Sequence, residues 1–535
     1  MSLGNRLFLP IILSALTVLA GCGSGGSGVS RPTPPPSGGF SNSNFNGTYT
    51  FSVAGANGNG VFAMAGTLVA CGCNNGVISS GTVDINDPTG PVIAAALAPN
   101  SAYSISTDGR GTAQLFITPT GSSTLEIDLD FVLLSSSHGL VIRYDGFGTG
   151  SGTIDLQPAV IAQNSLAATP YAFMLSGADL NSNSLSTVGS MTLDSTGTIT
   201  SGVEDFNYSP TIAVNLALLG SVTVGSGSTP GTASLNTTFG NLSFDVYPIN
   251  SSHLKLIEND GQAVLVGDLV SQPSSAFPTG NLVFTTSGLD SNFDLFVTGG
   301  VMTSDGTSQI TNGFEDVNDA GVVDNGTSTP FNFTGSFTDT GHGRFELDLV
   351  DYVGASVFAA YPSSGGMFML EIDNGGVAGG VAVTQASGAT VAPTQGYGLN
   401  MSGEDVLNFS ELDEIAEFKT TATAMAGLVD GNDGGSLFTD NVNGTYSVDS
   451  NGFGSATFSS GGFSSMFFYA VDDSLSLFIS TDPTQAALGS FEVQSTPVND
   501  AHLSVGRSQS LPMQRVLPRK KSGTKKSHTT FKKSR

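Results

Sequence analysis

The chain has 535 residues, room for three to five domains at about 100–200 residues each. Gly supplies 70 residues and charged side chains only 11 %, which argues against a mainly helical protein, while 39 % apolar content excludes a disordered polyanion. Ten of the 17 Lys and Arg lie between Arg507 and Arg535, so seven basic residues face 44 acidic ones elsewhere, and this body of net −37 repels nucleic acid and anionic membranes.

At the amino terminus, Arg6 supplies a positive charge and Leu7 to Ala20 is a mostly apolar run of 14 residues, too short to span a bilayer comfortably. The run ends in Leu19-Ala20-Gly21-Cys22. That ending resembles the lipobox of bacterial lipoproteins, whose chemistry needs small residues before the cleaved bond and a Cys thiol that takes a diacylglyceryl group. The resemblance implies that residues 1–21 are a signal peptide and Cys22 the lipidated terminus of a cell-envelope protein, anchored by acyl chains at about 0.8 kcal/mol per buried CH₂. Gly23 after the Cys, where proteobacterial sorting would use Asp for retention, favours the outer membrane or cell surface. Residues 22–45 are rich in Gly, Ser and Asn and broken by Pro32-Thr33-Pro34-Pro35-Pro36, and read as a tether.

Four internal repeats follow. Gly-x-x-Asp-x-Asn occurs at Gly81–Asn86, Gly202–Asn207, Gly313–Asn318 and Gly427–Asn432. Gly-x-x-x-x-Gln ends at Gln157, Gln272, Gln385 and Gln494, and a large apolar residue stands four before a Gly at Phe51, Phe173, Phe284 and Leu399. A Gly entering a strand recurs at Gly111, Gly231, Gly343 and Gly454. The units run 46–157, 164–272, 278–385 and 392–494.

Within a unit the period is that of strands. Leu125, Ile127, Leu129 and Phe131 alternate with Glu126, Asp128 and Asp130, and turn signals such as Asn74-Asn75-Gly76 and Asp108-Gly109 separate such runs. Seven or eight short strands per unit, with no helical run between them, predict an all-β chain of four antiparallel meanders. Each is expected to be a small eight-stranded barrel, with a two-sheet sandwich as the alternative. Glu411 to Phe418 in the fourth unit is charged and less strand-like, with room for a short helix as an alternative to a strand.

The strongest chemical candidate is the Asp-Asn loop: Asp84, Asn86 and Asp87; Asp316, Asn318 and Asp319; Asp430, Asn432 and Asp433. Oxygen side chains two apart suit a hard Ca²⁺ ion, but the distant bidentate Glu of a full calcium loop is missing and the second unit has Tyr208 in place of the last Asp. The other reading is a strand ending in a turn, capped by Asn and Asp. Glu126, Asp128 and Asp130, about 7 Å apart along a strand, read as a solvated face rather than a glycosidase pair. His138, His253 and His342 read as turn residues. Cys71 and Cys73 stand at a hairpin apex, where a local disulfide is possible. No Ser/His/Asp motif is apparent, no cofactor other than calcium is implied, and a non-enzymatic role is expected.

From residue 495 the chain is a basic tail, read as disordered, with attachment to an anionic partner as its functional alternative. The expectation is a lipid-anchored envelope protein displaying four β-domains in a structural or binding role. Lipid or small-ligand carriage inside the barrels is the alternative, and an envelope hydrolase a third.

Overall fold

In the computed structural model the described residues are 39–495, apart from 122, 209–210, 226–228, 291–293, 325–329, 352–353, 374–375 and 461. Cys22, most of the tether and the basic tail lie outside them. The described chain is β-structure, with two short 3₁₀ turns at Asn42–Asn44 and Gln163–Ala168.

It forms four barrels. Their first and last strands are Asn46–Asn57 and Gly148–Leu156, Tyr171–Asp179 and Ala263–Ser271, Gly280–Asp290 and Gly376–Thr384, and Gly396–Asp405 and Gln485–Val493. In each, the first strand pairs antiparallel with both the second and the last, so an up-and-down meander rolls shut on itself. The third and fourth barrels are closed eight-strand rings, and the first is closed across Ala96↔Thr118 and Leu97↔Ile117. The second is nearly closed. Its fourth strand breaks at Leu218, so that Thr211–Ala217 pairs with the strand before it and Leu219–Thr223 with the strand after it.

The two-residue period explains the interiors. Ile127, Leu129 and Phe131 point into the first barrel, and Leu125 is left exposed at its rim. Two of the strand-entering glycines, Gly111 and Gly454, make room for phenylalanines on the neighbouring strand, while Gly231 stands opposite Val246 and lies against the backbone of Thr223 and Val224. A Cβ on Gly111 would lie 2.3 Å from the Phe131 ring, and one on Gly454 2.1 Å from Phe468. The third barrel reverses the pair: Phe345 stands opposite Ala360, and Gly343, two residues earlier, belongs to the hairpin Gly341-His342-Gly343 at φ +69°.

Glu411 to Phe418 is not a helix but part of the strand Ser410–Thr420. Leu412, Ala416 and Phe418 join the core of the fourth barrel, while Asp413 and Ile415 face the first barrel. Both faces are covered, so the usual alternation of polar and apolar residues is lost. The acidic row is solvated only at one end: Glu126 is exposed, Asp128 half-buried and Asp130 buried.

Each barrel is stoppered by the chain that leads into it. Phe45, Leu166, Phe277 and Val391 precede the first strands and are buried in the four cores. Phe45 lies 4.0 Å from the Tyr49 ring and 5.4 Å from Phe131, centroid to centroid, so the last residues of the expected tether belong to the first barrel.

Meander topology also sorts the connections. Those after the first, third, fifth and seventh strands gather at one end of a barrel, here called distal. Those after even-numbered strands, and the links between barrels, gather at the proximal end. Phe40 donates its amide to Thr107 O and Ser495 to Leu134 O, so both ends of the described chain sit on the proximal side.

Truncating a stopper leaves a cavity among aromatic rings. Phe45→Ala is expected to cost about 3–5 kcal/mol, read as a lower midpoint in thermal or urea unfolding.

Candidate functional site

The repeat markers converge between barrels. Asn86 is the last residue of the strand Ile78–Asn86, and its Nδ2 donates to Glu258 O and Ala263 O, both at 2.9 Å, which flank a distal hairpin of the second barrel. Asn207 does the same to Glu371 O at 2.8 Å and Gly376 O at 2.9 Å in the third barrel. Asn318 reaches Ser480 O at 2.8 Å and Gln485 O at 2.9 Å in the fourth. Asn432 then reaches Arg143 O at 2.9 Å and Gly148 O at 2.8 Å in the first. Each barrel pins the next, and the fourth pins the first. The four form a closed ring.

The terminal glutamines repeat this at the proximal end. Gln157 donates to Pro248 O, Gln272 to Pro362 O, Gln385 to Ala470 O and Gln494 to Leu133 O, at 2.8, 2.9, 2.8 and 3.0 Å. Distal groups meet distal groups and proximal meet proximal at every junction. All four barrels therefore point the same way.

The motif aspartate lies between. Asp84, Asp205 and Asp316 accept from Tyr247, Tyr361 and Tyr469 of the following barrel. At the fourth junction Val132 occupies the tyrosine position, and Asp430 accepts from Thr439 at 2.6 Å and from Arg110 at 3.4 Å. Arg344, at the place equivalent to Arg110, grips Asp205 with two bonds of 2.8 and 2.9 Å. The corresponding residues at the other two junctions are Pro230 and Phe453, which offer no cation. Junctions with a guanidinium at the motif aspartate thus alternate around the ring with junctions that lack one. Apolar side chains fill the space around the pins, such as Ala63, Ile257 and Val266 between the first two barrels.

The Asp-Asn loops are therefore neither simple turns nor a converging set of ligands. Asp84, Asp316 and Asp430 and their Asn partners are strand residues committed to the neighbouring barrel, with Asn318 and Asn432 also accepting from Gly321 and Gly435. Asp87 does behave as a turn residue, accepting from Thr89, Asn57 and Asn59. Asp319 is exposed, and Asp433 accepts from Ser410. Among the described residues no group of three His, Cys, Asp or Glu is placed to hold a metal ion.

The histidines need correction too. His138 and His253 open strands rather than form turns, and pair with Asp155 at 2.6 Å and Asp268 at 2.7 Å. Burial raises Asp155, but His138, with Lys255 and His253 nearby, outweighs it and holds the carboxyl at about 2. His342 does occupy a turn, at φ +59°. Cys71, the last residue of the strand Gly60–Cys71, is joined by a disulfide to Cys73.

Several carboxyls are buried without a cation. Burial pushes Asp316 up to about 6 against the bond from Tyr469, and raises Asp84, where the charge of Asp245 adds to the effect. Inside the second barrel burial takes Glu204 to about 8 despite a bond from Thr187. Glu414 inside the fourth is also near 8, through burial and the charges of Asp482, Asp413 and Asp433. Sequence reading missed these lumen acids, because Glu414 lies in the stretch whose period was obscured.

Two outcomes follow. Asn318→Ala leaves two buried carbonyls without a donor and is expected to cost about 2–4 kcal/mol, seen in unfolding of the whole chain. The second concerns pH. A carboxyl whose folded pKa is raised binds more protons folded than unfolded, so its stabilising contribution is full below about pH 4 and is lost as pH rises through the folded value. Asp316→Asn is expected to flatten the fall in melting temperature across about pH 4–6, and Glu414→Gln that across about pH 4–8. Unchanged pH profiles in both variants would contradict the assignment.

No family model and no curated protein matches the chain. Among solved structures, intact Ap-TbpB (N and C lobes) is similar at 8 % identity, over 87 % of this chain and 98 % of that one, with a TM-score of 0.18. A score so low lends the likeness no weight for this chain's fold or role.

Proposed function

We propose that this chain is a lipid-anchored cell-envelope protein that displays its ring of four barrels in a structural or binding role. The observation that supports the reading is the sidedness of the ring: Phe40 and Ser495, near the two ends of the described chain, both lie on the proximal side, which leaves the distal side available for display. The lipobox-like Leu19-Ala20-Gly21-Cys22 supplies the anchor. The repeated polar motifs do not compete with this reading, because the ring itself consumes them.

The packed interiors favour display over carriage in the lumens. Aromatic side chains fold over glycines inside, and a buried apolar residue closes each proximal mouth.

Replacing Cys22 tests the anchor. The full chain is expected in the membrane fraction and Cys22→Ser in the soluble fraction of the expressing cells. Equal membrane partitioning of the two would refute lipid attachment at this residue.

A further inference from the structure

We propose that the distal face of the ring is a docking surface for a cationic protein partner that brings apolar side chains. The inference rests on the display reading and adds the face and the chemistry of what it meets.

Two independent asymmetries point there. The first is apolar exposure. Phe147, Leu180, Phe239, Val322, Leu407 and Phe409 are 79, 44, 39, 58, 67 and 47 % exposed, and all lie in distal connections, with every barrel represented. Among the described residues the proximal connections expose one large apolar side chain, Val160. Ile93, Leu125, Val214, Leu219, Phe331 and Val350 are exposed along strands, as isolated apolar residues ordinarily are, but among the connections the exposed apolar side chains fall on one face of a ring of aligned barrels with the single exception of Val160.

The second is charge. Taken with their flanking strand ends, the distal connections contain 15 Asp and Glu, of which Asp87, Asp145, Glu258, Asp351, Glu371 and Asp482 are buried, and a single basic residue, the buried Arg143. The proximal connections contain six Asp and two Arg. An apolar surface meant for an anionic bilayer would carry Lys or Arg around it, and this one carries the opposite sign. Aromatic and aliphatic anchors within an acidic rim instead match a protein with a positive, partly apolar surface, the acids steering the encounter and the apolar groups holding it.

The chain's own basic segment, 507–535, is the competing occupant. The last described residue, Ser495, lies on the proximal side, and 40 residues follow it in the sequence.

The test uses the full chain and, as probe, a soluble amphipathic peptide of alternating Lys and Leu blocks, with a Lys/Ser peptide of equal charge for comparison. Binding is measured by calorimetry. The Lys/Leu peptide is expected to bind about tenfold more tightly than the Lys/Ser peptide. The combined Phe147→Ser, Leu407→Ser and Phe409→Ser chain is expected to lose about that tenfold, with unchanged melting temperature because all three side chains are exposed. Asp260→Asn with Asp319→Asn is expected to weaken binding and reduce its salt dependence. A proximal set, Val160→Ser with Asp472→Asn and Asp473→Asn, is expected to leave it unchanged.

Equal binding of the two peptides, or no effect of the distal set, overturns the proposal. Loss of binding in the proximal set also overturns it, while leaving the anchored-display reading to stand or fall on Cys22. Binding that appears only after removal of 507–535 assigns the face to the chain's own tail and overturns the external partner.

Discussion

A buried backbone carbonyl must find a donor, and the four-barrel ring is organised around that requirement. Where the seventh and eighth strands of each barrel meet a neighbour, two carbonyls flanking a hairpin are taken out of water. One Asn side chain from the preceding barrel supplies both hydrogens, at 2.8–2.9 Å throughout. An amide is suited to the work because it donates twice without bringing a charge into an apolar junction. Apolar neighbours supply the area of contact, while the pin fixes one register among the many an apolar surface would tolerate.

The aspartate beside each pin is treated unevenly. Arg344 and Arg110 reach Asp205 and Asp430, while Asp84 and Asp316 have a tyrosine of the next barrel in place of a cation, and Asp84 also accepts from the Ala94 amide. The repeats differ in how a buried carboxyl is accommodated: two junctions pair it with an arginine, and two leave it with a raised pKa. The head-to-tail junctions close after four units, as heterologous contacts do in cyclic oligomers, but here within a single chain.

Much of the architecture was legible in the sequence, and the reasons are local. Leu125 to Phe131 alternates because one face meets a lumen and the other does not, and the markers at Asn86 and Gln157 recur because every unit repeats one junction. What those markers do was not legible. Asn86 meets partners 172 and 177 residues away, and Asn432 closes on residues 284 to 289 away in the other direction. The same Asp-x-Asn spacing is equally compatible with a turn or with oxygen ligands until the neighbouring barrel is present. His138 and His253 were misread for a related reason: the Ser-Ser-His run is a turn signal, but the acids that hold the rings lie on the last strand, 15 to 17 residues on. Glu411 to Phe418 failed because both of its faces are buried. The stoppers were hidden by composition, since Phe45 lies among the Gly, Ser and Asn of a tether.

The closing junction has a temporal side. The first three junctions can form as each barrel emerges in chain order, but the face of the first barrel bearing Val132, Leu134, Leu140 and Ile142 is covered by Ile415 and its neighbours in the last. Until that final barrel has been made and folded, this apolar wall and the unpinned carbonyls of Arg143 and Gly148 stand open. A chain still being made carries an incomplete ring until its last barrel is complete. The same open end on another copy is its nearest imitation of the missing barrel, so premature arrest favours head-to-tail association between chains over solitary misfolding.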